Sequence, residues 1–81
     1  MPYKTIYQVQ YLLTDLDTYN KTVIKETNFT TKVPRRDLLI MERIVNEGMD
    51  ESLTCRIVMT KVDEDCDAYK EAVENTEYYL S

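Results

Sequence analysis

Tyr3-Lys4-Thr5-Ile6-Tyr7-Gln8-Val9-Gln10-Tyr11-Leu12-Leu13 is the stretch whose reading decides the fold. Tyr3, Tyr7 and Tyr11 recur every fourth residue, which is one face of a helix and equally one face of a strand. The residue types separate the two. Thr5, Ile6, Tyr7, Val9 and Tyr11 are β-branched or aromatic, a set favoured on a pleated surface and disfavoured through the length of a helix. Gln8 and Gln10 alternate with them, so residues 3–13 are expected to form a strand. Its odd positions, with the tyrosines, Val9 and Leu13, form the richer face and are expected to line the core. Ile6 and Leu12 then fall on the other face.

Working outward, Thr14 to Lys21 is polar and turn-prone, and Thr22 to Val33 is a second β-branched run. Lys25 interrupts its alternation, as an edge position or a bulge would allow. The two runs read as an antiparallel hairpin with a long loop. Pro34 stops the second strand and suits the first turn of a helix. From Arg35 to Glu47, Leu38, Met41, Ile44 and Val45 keep helical spacing, with Leu39 and Ile40 widening the stripe. Gly48 is the chain's single glycine and stands where a helix C-terminal cap with positive φ is expected. Leu53 to Val62 alternates as a third strand, with Leu53, Cys55, Ile57 and Met59 on one face. Asp63 to Asp67 carries a capping signal. Cys66, Tyr69, Val73, Thr76 and Leu80 then follow the helical period, with Ala68 and Ala72 beside them.

The order is ββαβα. A third strand beside the first gives an antiparallel sheet ordered 2-1-3. Two helices on one face would complete a two-layer α+β sandwich spanning residues 1–81 as one small domain. The uncovered sheet face would hold Ile6, Leu12 and Val58.

The 81 residues bury only roughly 60–65% of their unfolded surface, so stability is marginal without a disulfide, a metal or a second subunit. Cys55 and Cys66 are eleven apart, match no zinc spacing and have no histidine to complete a site. They are expected to be reduced thiols. No apolar run approaches the ~20 residues that span a bilayer. Met1 to Leu13 shows no cationic region followed by an apolar stretch, so no signal peptide is read and a cytoplasmic location is expected.

The net charge of −5 is uneven: residues 1–46 carry +2, residues 47–62 carry −1 and residues 63–81 carry −6. An acidic surface repels nucleic acid and membrane headgroups and attracts basic proteins. The tyrosine row therefore reads as core lining, since a stacking platform for RNA needs a cationic surround. Glu64, Asp67, Glu71 and Glu74 are spaced 3, 4, 3 and form one helical side, which Glu77 extends and only Lys70 dilutes. These five acids are the candidate partner-binding residues. Arg35 and Arg36, at a helix start, are a candidate anion site.

Asp63, Asp65, Asp67 and Glu74 resemble, in register, positions 1, 3, 5 and 12 of an EF-hand calcium loop. Ala68 stands where that loop needs glycine, and Lys70 where it has a small apolar residue. Acids near the positive end of a helix explain the run more simply. With no histidine, no glycine-rich loop and no nucleophile beside a base, the chain is not expected to be an enzyme, and no cofactor is implied. The leading expectation is a non-enzymatic interaction module whose carboxylates imitate phosphates before a basic partner, as small inhibitors of phages and mobile elements do. The rival is a homodimer or larger self-assembly through the bare sheet face. A calcium-binding module is the lesser alternative.

Overall fold

β1 (Lys4–Asp15), β2 (Lys21–Phe29), α1 (Arg35–Glu47), β3 (Leu53–Glu64) and α2 (Cys66–Leu80) follow one another in the computed structural model, which describes residues 3–81. Residues 1 and 2, the start of the stretch read for a signal peptide, lie outside the described residues. The strands form one antiparallel sheet ordered β2-β1-β3, so the fold is α+β with the expected ββαβα order. The described residues divide into two compact units: one comprises residues 3–9, Thr27–Val33 and Met59–Ser81, the other Gln10–Glu26 and Pro34–Val58. Each holds one helix and part of every strand.

In the unit that holds α1, the hairpin turn closes tightly rather than as a long loop. Asp15 N–H donates to Asn20 O (2.9 Å), and Asp15 Oδ1 accepts from Asp17 N–H (2.9 Å). Tyr19 takes φ 61°, left-handed backbone that a non-glycine residue adopts only at a cost. Lys25 has a reason to break the alternation of β2: its ammonium sits 5.3 Å from the centroid of the Tyr11 ring. α1 begins after Pro34, whose carbonyl accepts from Asp37 and Leu38 N–H, and Arg35 to Glu47 matches the expected span. Gly48 is a correction. Its φ is −93°, and a Cβ there would meet nothing closer than Val45 O at 3.9 Å, so no left-handed cap requires it.

α1 is fastened to β3 by side chains. Asn46 donates from Nδ2 to Cys55 O (2.9 Å) and accepts at Oδ1 from Cys55 N–H (2.7 Å). Glu42 Oε2 accepts from Ile57 N–H (3.1 Å). Tyr11, Leu38, Cys55 and Ile57 are this unit's buried apolar residues, and the odd face of β3 points inward as expected.

In the unit that holds α2, Ile6, Val9, Phe29, Val33, Ala72 and Thr76 are buried. Two expectations fail here. Tyr3 is 70% exposed, and Ile6, assigned to the bare face, is fully buried. Ile6 and Val9 lie three apart, out of step with a two-residue repeat, so burial along β1 does not follow one face. The compact branched aliphatics take the interior, while Tyr3 precedes the strand. β2 also ends at Phe29 rather than Val33, because Thr30 N–H is diverted to Thr76 Oγ1 (2.8 Å) on α2. Thr30 Oγ1 also bonds Thr76 Oγ1, and the Thr76 hydroxyl donates to Ala72 O (2.7 Å). Asn75 Nδ2 donates to Asn28 O, and Phe29 meets Tyr79 edge-on at 5.6 Å. The helix is therefore docked by a polar clamp beside an aromatic pair, where periodicity alone suggests a plain apolar stripe. Cys66 and Leu80, expected within that stripe, are exposed.

Candidate functional site

The candidate site is the outer face of α2. Asp65 starts it: its backbone is extended, and its Oδ1 accepts from Ala68 N–H (3.0 Å), a regular N-cap. Asp67 follows in the first turn, where the helix dipole favours a negative charge. Ala72 and Thr76 face inward and are buried. The opposite side of the helix is therefore turned out, and Asp67, Glu71, Glu74 and Glu77 are all exposed.

Four of the five acids come together as the spacing implies. Glu64 does not, because it ends β3 and is half-buried, so the helical row begins at Asp67. Sequence reasoning missed Tyr78. It is 86% exposed and stands four residues after Glu74 and seven after Glu71, on the same side of the helix. The signal was present in that spacing, but a tyrosine near an apolar stripe reads naturally as core.

The calcium register is not held by a loop. Asp63 and Glu64 end β3, Cys66 to Glu74 are helical, and Asp63 Oδ1 accepts from the Thr5 hydroxyl (2.9 Å). Among the described residues no group of three or more His, Cys, Asp or Glu is placed to hold a metal ion. Arg35 and Arg36, the candidate anion site, are both exposed at the start of α1. Arg35 also lines, with Arg56, Leu38, Leu39, Glu42 and Ile57, an open cleft of about 420 Å³ that Arg36 does not reach.

The two thiols are free and differ in setting. Cys66 is exposed at the first position of α2, while Cys55 is buried. Burial, and then the nearby Glu42 carboxylate, push the Cys55 thiol above its ordinary value, which keeps it protonated and inert. Burial, and then Cys55, raise the Tyr11 phenol likewise. No described helix is long and apolar enough to cross a membrane. Comparison with protein-family models, with curated proteins and with solved structures finds no match to this chain.

Proposed function

We propose that the chain is a non-enzymatic protein-interaction module that presents the outer face of α2 to a protein with a basic surface. The observation that carries this reading is the position of Tyr78, 86% exposed on the side of the helix that bears Glu71 and Glu74. An interface needs an anchor as well as charge, and tyrosine is among the residues that most often supply one. The carboxylates around it give steering and specificity, with lysines or arginines of the partner meeting Asp67, Glu71, Glu74 and Glu77. The row imitates a strand of phosphates, so the partner is a nucleic-acid-binding protein held in check, as by the small acidic inhibitors of phages and mobile elements. Nucleic acid itself is not the ligand, because a chain of net charge −5 repels it.

Affinity capture from the source cell tests the reading, with the wild type, the Glu71→Lys/Glu74→Lys variant and Tyr78→Ala used as parallel baits. A partner retained by the wild type at low salt, lost on the charge-reversed bait and weakened on Tyr78→Ala supports it. Equal recovery on all three baits, or at low and high salt alike, overturns it, since exposed charges are screened beyond roughly 8–10 Å at moderate ionic strength.

A further inference from the structure

We infer that the outer face of α1 is a homodimer interface, on which two copies of this chain pair their α1 helices antiparallel about a two-fold axis. This is independent of the reading of α2 and concerns a different surface. Leu38 is buried on the inner side of α1. Opposite it, Ile40 and Ile44 stand one turn apart and are 50% and 64% exposed, with Leu39 on the flank at 51%. Three large aliphatics half or more in water on one short helix are a patch, not the scattered apolar residues of an ordinary surface.

Charge identifies the occupant. Arg36 lies at the N-terminal end of the Ile40–Ile44 ridge, on the same side of the helix, and Glu47 lies at its C-terminal end. When the helix meets a copy of itself running the opposite way, Ile40 of each chain meets Ile44 of the other. Arg36 of each chain then comes beside Glu47 of the other, about one residue, or ~1.5 Å, out of register. Parallel pairing would set Arg36 against Arg36 and Glu47 against Glu47. The face is thus complementary to itself in one orientation only, which is what a two-fold contact requires. Glu47 is available for the exchange. Its existing partner is Arg43 on the same helix at 3.9 Å, with side chains 83% and 72% exposed, a geometry that holds little. The second copy also answers the marginal burial of so short a chain.

A contact made mainly by one helix from each copy is small, so the dimer is weak and forms in the micromolar range. Sedimentation of the purified full chain from about 5 to 300 µM should show the mass climb from monomer towards dimer. Ile40→Ser/Ile44→Ser should remain monomeric throughout, with an unchanged circular dichroism spectrum, because both positions are exposed. Arg36→Glu alone and Glu47→Arg alone should each weaken association about tenfold by placing like charges at both ends of the contact. Mixing those two single variants should restore it as a heterodimer. A wild type that stays monomeric at the highest concentration overturns the inference. So does a dimer that ignores the Ser substitutions, or charge variants that fail to rescue one another.

Discussion

Asn46 on α1 and Cys55 on β3 are joined as two peptide groups in a sheet are joined. The side-chain amide donates to the Cys55 carbonyl at 2.9 Å and accepts the Cys55 N–H at 2.7 Å. β3 has a neighbour in the sheet on one side only, and Asn46 meets the other side. Replacing Asn46 by Ala should destabilise the fold by about 2–3 kcal/mol, since two bonds go and the part-buried Cys55 amide loses its partners. Asn46→Asp keeps the shape and the acceptor but turns a carboxylate oxygen towards the Cys55 carbonyl, so it should not rescue stability. Urea unfolding of the three proteins measures both effects.

Thr76 uses its hydroxyl three ways, accepting from Thr30 N–H and Thr30 Oγ1 and bonding Ala72 O. Thr76→Val preserves the volume and removes the hydroxyl, leaving Thr30 N–H without its partner. The expected cost is about 1.5–3 kcal/mol, with Thr76→Ser costing less because the hydroxyl remains. An outcome in which Val and Ser are equally tolerated would mean that volume, not hydrogen bonding, docks α2.

Tyr19 should be improved by glycine. Its φ of 61° and its 77% exposure mean that the ring adds little burial while the backbone sits where a Cβ is unwelcome. Tyr19→Gly should raise stability by up to about 1 kcal/mol, less the extra chain entropy glycine brings to the unfolded state, read as an upward shift in melting temperature.

Stability should fall in alkali, and Cys55 should set where the fall begins. Its folded pKa is raised above the ordinary 9.0, so between the unfolded and folded values the native state holds a proton that the unfolded state has released. Stability is then full below about pH 9 and declines as the pH rises through the folded value, with buried Tyr11 adding to the fall from its ordinary 10.0. Cys55→Ala should move the onset to higher pH. At neutral pH a thiol reagent should label exposed Cys66 promptly and reach buried Cys55 only as the unit opens. Equal labelling of both would contradict the buried setting.

What was legible beforehand follows from how far each signal reaches along the chain. Arg35 to Glu47 was readable to the residue, because Pro34 and a helical period are local facts. The capping signal of Asp63 to Asp67 announced the start of α2 for the same reason, and Asp65 supplies the cap. The strand order followed from alternation and connection length. The face of β1 was not readable, because burial at both Ile6 and Val9 depends on what packs there and not on β1 itself. The early end of β2 depends on Thr76, 46 residues away from Thr30. Gly48 misled by composition: a lone glycine invites a conformational reason, and its φ of −93° supplies none. On α2 the acidic row was visible as spacing, while Glu64 was placed on the helix although it ends β3, and exposed Tyr78 went unread.

The bonds that Asn46 and Glu42 make to Cys55 and Ile57 bear also on how the chain fails when overheated or overexpressed. Where the border's donors are already engaged, as at Cys55 and Ile57, it cannot seed growth of a foreign strand. Along the opposite border Lys21 to Glu26 of β2 are all exposed, Val23 and Ile24 among them. Fibrillar aggregation of this protein should therefore start along β2, and a proline at Val23 or Ile24 should retard it more than any change on the border shielded by α1.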